Sequence, residues 1–327
     1  MKAIVVSRFG GPEVLELGDR EAPPPGRGEV RVRVRAAGVN RADLLQRAGH
    51  YPAPADAPPD IPGLEFAGEL EAVGEGVTDA APGDRVLGLC GGGAYAEAIT
   101  VPARTVARLP DALTFTDGAA IPEAFITAWD ALVEQAHLGA GETVLIHAVG
   151  SGVGTAAVQV ARAVGARVVG TARTADKLAR VRPLGLDEGV HVTGGGFAPA
   201  VLRATGGRGA DVVLDLVGGP YLSESLACVA ARARIMLVGL LAGPRAELDL
   251  GRLLRQRVQV TGTVLRARPL EEKIAAVQQM ARHLLPLFER GALGAVVDRV
   301  FPLAEAAAAH AHVASNGAFG KVVLAVP

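Results

Sequence analysis

The residues with the clearest chemical meaning form a glycine-rich stretch near the middle of the chain. Residues 143–147 have the pattern of a buried strand, and an apolar helical segment follows the glycines as far as residue 164. The stretch matches G-x-G-x-x-A through Gly152, Gly154 and Ala157, a pattern that permits a tight turn and close approach of a pyrophosphate. Amides at the start of a helix then face the phosphates. We therefore predict a dinucleotide site with contacts from Ser151, Gly152, Val153 and Gly154, the Ser151 hydroxyl facing the cofactor.

The end of the next predicted strand indicates which nicotinamide cofactor is bound. An NAD enzyme usually offers a carboxylate to the ribose hydroxyls about twenty residues beyond the glycine motif. This chain has no acid there, and instead has Arg173 and Lys177 with the hydroxyls of Thr171 and Thr174 nearby. Arginine and lysine can neutralise a 2′-phosphate through charge-assisted hydrogen bonds. We therefore predict NADPH; the alternative is that Arg173 and Lys177 are ordinary surface and first-turn helix residues.

The histidines and cysteines suggest no catalytic or metal site by themselves. His147 ends the predicted strand before the glycines, and we predict a hydrogen-bonded core residue rather than a base. Cys90 and Cys228 are too few for a disulfide framework or a four-thiolate zinc lobe, so we expect inert buried thiols. His310 and His312 lie two apart on a predicted helix and therefore point in different directions, which prevents them from sharing a metal.

The elements that must position these residues follow two patterns. Valines alternate with charges over residues 29–35, and short apolar runs occupy residues 68–76 and 83–89, which predicts a small irregular β-barrel. The proline-rich stretches 22–28 and 51–62 must be loops, and the second is long enough to line a cleft. From about residue 117 helices alternate with apolar strands, which is typical of a parallel sheet. We expect its strands near residues 143–148, 167–171, 211–216, 234–240 and 259–264.

The end of the chain has a different pattern from the alternating segment before it. An amphipathic helix is predicted over residues 270–290, followed by strand and helix pieces that include a strand at 320–326. This tail is too short to fold alone, so we expect it to return to the first domain.

Composition excludes several classes of function. The 327 residues suffice for two domains, and a net charge of −1 with 20% charged residues provides no basic surface for nucleic acid or anionic lipid. The longest apolar run is too short to span a bilayer, and the first residues lack a basic region followed by an apolar core. We expect a cytoplasmic protein with no nucleic-acid or membrane partner.

Motifs along the whole chain resemble those of one known family. They are Ala37-Gly38-Val39-Asn40-Arg41-Ala42-Asp43, Pro62-Gly63-Leu64-Glu65-Phe66-Ala67-Gly68, Pro82-Gly83-Asp84-Arg85-Val86, Ile121-Pro122-Glu123-Ala124-Phe125 and Gly320-Lys321-Val322-Val323-Leu324, beside the glycine-rich stretch. They resemble the zinc-free quinone oxidoreductases of the medium-chain dehydrogenase/reductase superfamily, particularly the p53-inducible group. The resemblance implies an α/β fold with a GroES-like β-barrel catalytic domain (residues 1–122 and 267–327), a Rossmann NADPH-binding domain with a doubly wound parallel sheet (residues 123–266), and a homodimer.

The resemblance also implies roles for individual residues. Asn40 and Tyr51 would line the space in front of the nicotinamide, and we predict that the Tyr51 hydroxyl and the Asn40 amide are the hydrogen-bond donors to the acceptor. Further implied cofactor contacts are Thr127, Gly239, Leu240, Leu241, Val264, Leu265, Arg266 and Lys321. The alternatives are a loop-capping amide for Asn40, a ring packed among prolines for Tyr51 and a packed helical residue for Thr127. For Asp43, a helix N-terminal role is favoured.

Two departures from family patterns have consequences. Zinc-dependent members of the superfamily have a cysteine at the position of Asn40 and a histidine at the position of Leu64, whereas catalytic zinc needs three protein ligands. Relatives also carry a tyrosine that packs on the cofactor where this chain has Val192. We therefore expect no metal site, and either weaker NADPH binding or a larger share of it for Arg173.

The absence of zinc ligands favours one reaction over another. Alcohol oxidation needs a Lewis acid to stabilise an alkoxide, whereas a quinone accepts hydride to give a delocalised phenolate that a few hydrogen-bond donors can stabilise. The sequence therefore predicts zinc-free, NADPH-dependent reduction of small quinones. Reduction of the double bond of enals or enones, and NADPH binding without turnover in a sensor or structural protein, remain the alternatives.

Overall fold

The computed structural model describes residues 1–194 and 196–327 and contains two compact units. The first unit consists of Met1–Ile126 together with Leu265–Pro327, and the second consists of Thr127–Val264. The boundaries predicted from the sequence were residues 122/123 and 266/267. In the structure the chain therefore passes between the units inside a helix at the first boundary and in a turn at the second.

The first unit is built on strands from both ends of the chain. The strands are β1 (Lys2–Val6), β2 (Leu15–Asp19), β3 (Glu29–Val39), β4 (Glu65–Val73), β5 (Arg85–Leu89), β6 (Ala98–Pro102), β7 (Val106–Arg108), β14 (Val297–Pro302) and β15 (Lys321–Ala325). A seven-stranded sheet has the order β14-β15-β3-β4-β5-β7, with β6 paired to β3, and β1 and β2 form a separate antiparallel pair.

Strand β3 shows why the sequence folds in this way. Val30, Val32 and Val34 are fully buried, and they alternate with arginines that face outward along the strand. Strand β15 pairs antiparallel with the end of β3, Val322 opposite Val39. The tail of the chain is thus part of the first unit's main sheet.

The helices of the first unit are short. They are α1 (Arg41–Arg47), α2 (Phe115–Gly118), α3 (Pro122–Trp129, which crosses into the second unit), α9 (Leu270–Gln279), α10 (Leu285–Glu289) and α11 (Ala306–Ala314). The single helix predicted over residues 270–290 is interrupted by a π-helical turn at Met280–Leu284. Pro286 follows that turn, and because proline has no amide hydrogen the regular helical ladder cannot continue through it.

The second unit is a six-stranded parallel sheet of Rossmann type. Its strands are β8 (Thr143–Ile146), β9 (Arg167–Ala172), β10 (Glu188–His191), β11 (Ala210–Asp215), β12 (Val229–Leu237) and β13 (Gln259–Gly262). Their order is β10-β9-β8-β11-β12-β13, in which the chain starts at the centre and winds outward in both directions. The helices are α4 (Gly152–Val164), α5 (Ala175–Val181), α6 (Ala198–Ala204), α7 (Pro220–Ala227) and α8 (Leu250–Gln256).

All five strands predicted for this sheet are present, and β10 is a sixth. Val144, Leu145 and Ile146 of the central strand β8 are fully buried, as expected where helices cover both faces. Strand β10 is short, lies at the edge and has Val190 as its buried residue, so it lacks the apolar run that marks the others. Strand β12 begins at Val229, ahead of the predicted residue 234.

Replacement of Gly154 by alanine is expected to destabilise the protein, although alanine normally favours a helix over glycine by about 1 kcal/mol. An added Cβ would collide with the Ala148 carbonyl oxygen, a backbone atom that cannot rotate away. We expect the free energy of unfolding to fall by about 1–3 kcal/mol in urea denaturation. Gly139→Ala is the control, because its Cβ would approach no closer than 3.8 Å to Glu142 Oε2. Equal unfolding free energies for the two variants would contradict the close packing at Gly154.

Candidate active site

The glycine-rich turn leads from β8 into α4, and Ser151 is the N-cap of that helix. The Ser151 hydroxyl donates to the Ala148 carbonyl at 2.8 Å and accepts from the Gly154 amide at 3.1 Å. The hydroxyl predicted to face a cofactor is therefore engaged in capping. The amides of Gly152 and Val153 have no acceptor in the described part of the chain, as the first residues of a helix require. Together with the helix dipole they form an anion-binding position.

The two predicted 2′-phosphate ligands lie beside this turn or at the end of the next strand. Lys177 packs along Gly150, where an added Cβ would lie 2.8 Å from Lys177 Cδ. Arg173 directly follows β9 and is exposed, and its carbonyl accepts from His191 Nε2 at 3.0 Å. Of the two hydroxyls noted in the sequence, Thr174 caps α5, whereas Thr171 faces the core. Thr171 is therefore not available to a ribose.

His147 is a core residue. Its ring is fully buried, with Nδ1 2.9 Å from Thr171 Oγ1 and Nε2 2.8 Å from Ser225 Oγ. Burial lowers the pKa of His147 to about 3, so the imidazole is neutral at physiological pH. The side chain thus has the satisfied, non-catalytic environment that its position in the sequence indicated.

Other predicted cofactor contacts of the second unit lie at the same sheet edge as the turn. Gly239, Leu240 and Leu241 follow the carboxyl end of β12, and Val264 follows β13. Carboxyl ends of parallel strands share one edge, which is where ligands of such sheets bind. An added Cβ at Gly239 would lie 2.5 Å from the Leu216 carbonyl oxygen, which accounts for the glycine. Thr127 is half-buried in α3, a helix that comes before the first strand of this sheet, β8, in the chain.

The first unit contains a buried polar cluster centred on Glu65. Lys321 Nζ lies 2.6 Å from Glu65 Oε1, and both residues are almost completely buried. The ammonium also donates to Asn40 Oδ1 at 2.5 Å and to the Val39 carbonyl at 3.2 Å. Because an ammonium has three hydrogens, these contacts saturate Lys321. Its predicted approach to a cofactor would require it to give up one of them.

Asn40 connects this cluster to helix α1. It is the N-cap residue, and its backbone amide donates to Asp43 Oδ2 at 2.7 Å. Its side-chain amide donates to Glu65 Oε1 at 2.8 Å and keeps a second hydrogen. Asp43 is fully buried and also accepts from the Gly63 amide and the Tyr95 hydroxyl, both at 3.1 Å. Asp43 therefore has the helix N-terminal role that the sequence favoured, with burial raising its pKa to about 6.

Tyr51 is held by Arg266. The guanidinium carbon lies 5.2 Å from the centre of the Tyr51 ring, within the range of a cation–π contact. Arg266 is itself buried and donates to the Gly91 carbonyl at 2.8 Å, to Gln46 Oε1 at 2.6 Å and to the Tyr51 carbonyl at 3.3 Å. The Tyr51 hydroxyl has no hydrogen-bond partner among the described residues, and burial raises its pKa. The ring is thus fixed while the hydroxyl remains able to donate.

Sequence reasoning missed two acids of the first unit, Glu65 and Glu123. Both occur inside otherwise apolar motifs, and this contrast was the signal available in the sequence. Glu65 Oε2 accepts from the Glu123 backbone amide at 2.8 Å, so the two acids are neighbours. Leu265, in contrast, is a buried apolar residue and offers no polar side chain to a ligand.

The described residues contain no group of three or more His, Cys, Asp or Glu side chains placed to hold a metal ion. Leu64 is fully buried, and Asn40 is used in the Glu65 cluster. His310 faces Tyr95 and Arg47, whereas His312 contacts Asp298, so the two histidines diverge as predicted. None of the described helices has the length and apolar character needed to cross a membrane.

Comparison with known proteins gives consistent matches over the whole chain. The family model for the alcohol dehydrogenase GroES-like domain matches residues 26–111, and the model for zinc-binding dehydrogenase matches residues 152–282. A quinone oxidoreductase of Pseudomonas aeruginosa is 38% identical over 99% of both chains. The human quinone oxidoreductase is 34% identical over 99% of this chain and 97% of its own.

Solved structures agree with these matches. The Escherichia coli quinone oxidoreductase complexed with NADPH has a TM-score of 0.90 and 29% identity, covering 99% of this chain and 100% of its own. A mycobacterial protein complexed with NADPH has the same TM-score at 33% identity, with the same coverage of both chains. The motifs, the paired GroES-like and Rossmann folds and these relatives together identify the chain as a member of the quinone oxidoreductase family within the medium-chain dehydrogenase/reductase superfamily.

Proposed function

We propose that the protein is an NADPH:quinone oxidoreductase that works without zinc. The observation that carries the proposal is the Tyr51 hydroxyl, which is free to donate while Arg266 fixes its ring. A donor held in this way can stabilise negative charge on an acceptor oxygen without a metal ion. The relatives named quinone oxidoreductase support a quinone as that acceptor.

The residues of the second unit fit NADPH. The unpartnered amides of Gly152 and Val153 suit the pyrophosphate, and Gly154 and Gly150 leave no side chain in its way. Arg173 and Lys177 would hold the 2′-phosphate, since residues 172–174 at the end of β9 include no carboxylate to bind the ribose hydroxyls of NADH. Two similar structures that contain NADPH support the same choice.

Bound NADPH supplies a hydride for the acceptor. In our proposal the Tyr51 hydroxyl donates a hydrogen bond to the acceptor oxygen on which negative charge develops. The second amide hydrogen of Asn40 is the other available donor, since its first is bonded to Glu65. Arg266 keeps the Tyr51 ring in position through its contacts with Gly91 and Gln46, so the donor needs no reorganisation.

The donor set of the first unit argues for zinc-free chemistry. Zinc-dependent relatives need ligands at the positions of Asn40 and Leu64, and an amide and an alkyl side chain are not zinc ligands of the usual kind. The Asn40 oxygen is moreover bonded to Lys321, whose positive charge would repel a cation. Reduction of a quinone suits such a site because its product anion is already delocalised.

Oxidation of NADPH with a panel of small quinones and enals tests the proposal. We expect turnover with quinones to exceed turnover with enals by at least about tenfold in kcat/KM, equivalent to about 1.4 kcal/mol of transition-state stabilisation. Turnover confined to enals would instead favour double-bond reduction. NADPH binding with no turnover on any acceptor would favour the non-catalytic alternative.

Arg173→Ala is expected to weaken NADPH binding selectively. Loss of a charge-assisted hydrogen bond costs about 1.5–3 kcal/mol, so KM for NADPH should rise by about tenfold to a hundredfold. KM for NADH, which has no 2′-phosphate, should change little. Arg180→Ala is the control, because Arg180 is on α5 and its ion pair with Asp176 lies within the helix. Equal changes for NADPH and NADH would exclude Arg173 as the phosphate ligand.

Tyr51→Phe is expected to lower turnover and leave cofactor binding intact. The substitution removes the free hydroxyl but keeps the ring over which Arg266 lies, so the fold should be retained. Loss of one donor to a developing oxyanion should reduce kcat by about tenfold to a thousandfold with KM for NADPH unchanged. Steady-state kinetics with several quinones, together with the thermal unfolding midpoint, measures both effects. Undiminished kcat with every quinone would exclude the hydroxyl as a donor.

A further inference from the structure

Glu123 is a carboxyl group that the reaction proposed above leaves unused. It is the second residue of α3, and its backbone amide donates to Glu65 Oε2 at 2.8 Å. Its own Oε2 is shielded from solvent and has no hydrogen-bond partner in the part of the chain that the structure describes. A buried carboxylate oxygen without a partner is costly, whereas a protonated carboxyl group is not.

The charges around Glu123 favour its neutral form. Glu65 forms an ion pair with Lys321: Oε1 accepts from Lys321 and Asn40, while Oε2 accepts from the Glu123 amide. All three hydrogens of Lys321 are thereby used, one of them by Glu65, and Glu123 forms no ion pair within the part of the chain that the structure describes. Two neighbouring carboxylates that share one cation in a buried cluster cannot both be ionised cheaply.

Burial and the charged groups around Glu123 together raise its pKa. Burial is the largest cause and raises the pKa of Glu123 to about 8; Glu65 and Asp43 act in the same direction. Lys321 and Arg266 act in the opposite direction and do not cancel it. A carboxyl group with this pKa is mostly protonated at neutral pH and close to the range in which proton transfer is efficient.

Glu123 lies beside one of the two donors that we propose contact the acceptor. Glu65 accepts from the Asn40 side-chain amide through Oε1 and from the Glu123 backbone amide through Oε2, so both residues contact the same carboxylate. A negative charge on Glu123 also raises the pKa of Tyr51, the other proposed donor. Glu123 is therefore a neighbour of the Asn40 amide in the proposed site.

We propose that Glu123 is the proton donor of the reductase, a role that rests on the proposed quinone reduction. Hydride from NADPH adds to the quinone and gives a hydroquinone anion. The O–H bond of Glu123 then breaks, its electron pair stays on the carboxylate, and the proton forms the second O–H bond of the hydroquinone. Glu123 is partly exposed although its Oε2 is shielded, so solvent can reprotonate the carboxyl group, and each turnover consumes one NADPH, one quinone and one proton.

The rate profile with pH tests this role. Because the donor must be protonated, kcat should be high below a pH of about 8 and should fall as the pH rises through that value. Glu123→Gln keeps the size and neutrality of the acid but has no proton to give. We expect it to lower kcat by about a hundredfold with quinones whose reduced anions are basic, and to abolish the fall above neutral pH.

Two comparisons distinguish proton donation by Glu123 from a structural role: quinones whose reduced anions differ in basicity, and control variants. Quinones whose reduced anions are weakly basic need little proton donation, so Glu123→Gln should barely slow their reduction. Glu123→Asp retains an acid and should keep the alkaline fall in kcat. Glu75→Gln removes an exposed carboxylate of the same unit and should behave as the wild type. A Glu123→Gln enzyme with wild-type rates and the wild-type pH profile would overturn the proposal.

Infrared spectroscopy of the resting protein supplies a readout that needs no turnover. We expect a protonated carboxyl band at neutral pH that disappears on titration through a pH of about 8 and is missing in Glu123→Gln. An active wild-type enzyme without this band would overturn the proton-donor role. A protein that shows the band but reduces no quinone would contradict the proposed function while supporting the neutral state of Glu123.

Discussion

Glu65 and Lys321 form a buried ion pair between residues 256 positions apart in the chain. Removing two charges from water is costly, so such a pair persists only when every remaining donor and acceptor is bonded. The remaining hydrogen-bond partners of the pair are Asn40, the Val39 carbonyl and the Glu123 amide. Their contacts connect the last residue of β3, the first residue of β15 and the start of α3. Loss of one partner from a pair of this kind typically costs about 3–5 kcal/mol, so the cluster fixes the geometry of its surroundings.

The ion pair also contributes to the charge state of Glu123, whose pKa is raised first by burial and then by Glu65. Lys321 pairs with Glu65 and is saturated by its three contacts, so Glu123 forms no direct ion pair with it. In the same unit Arg266 donates hydrogen bonds to the Gly91 and Tyr51 carbonyls and to Gln46 Oε1, and its guanidinium also contacts the Tyr51 ring. The proposed chemistry follows from these contacts. In our proposal the free hydroxyl of Tyr51 and the neutral carboxyl group of Glu123 take over roles that a metal ion has in zinc-dependent relatives.

Local patterns were enough to predict much of the fold. The alternation of valine and arginine in β3, the glycine-rich turn before α4 and five strands of the parallel sheet were recognisable because each signal lies within a few neighbouring residues. Strand β10 was not among the predicted strands because an edge strand with one buried residue has no apolar run. The π turn at Met280–Leu284 was not predicted either, because the amphipathic pattern continues through it and only Pro286, just beyond the turn, interrupts a regular helix.

The candidate site was less predictable because its contacts join distant residues. The resemblance to a family indicated Asn40, Tyr51, Arg266 and Lys321, yet nothing in the sequence revealed that Lys321 donates to Asn40, 281 positions away. The cofactor contact of Ser151 stays a prediction, and the structure adds that its hydroxyl caps the helix, a local role that the three-residue spacing to Gly154 also indicates. Glu123 was noted only as part of a family motif, since its environment depends on the fold.

Zinc content measured on the same sample as NADPH-dependent quinone reduction tests the central claim most directly. A reductase that uses Tyr51 and the Glu65 cluster in place of a metal should retain full turnover after chelation, with zinc far below stoichiometric amounts. Stoichiometric zinc whose removal abolishes turnover, and whose return restores it, would contradict the claim.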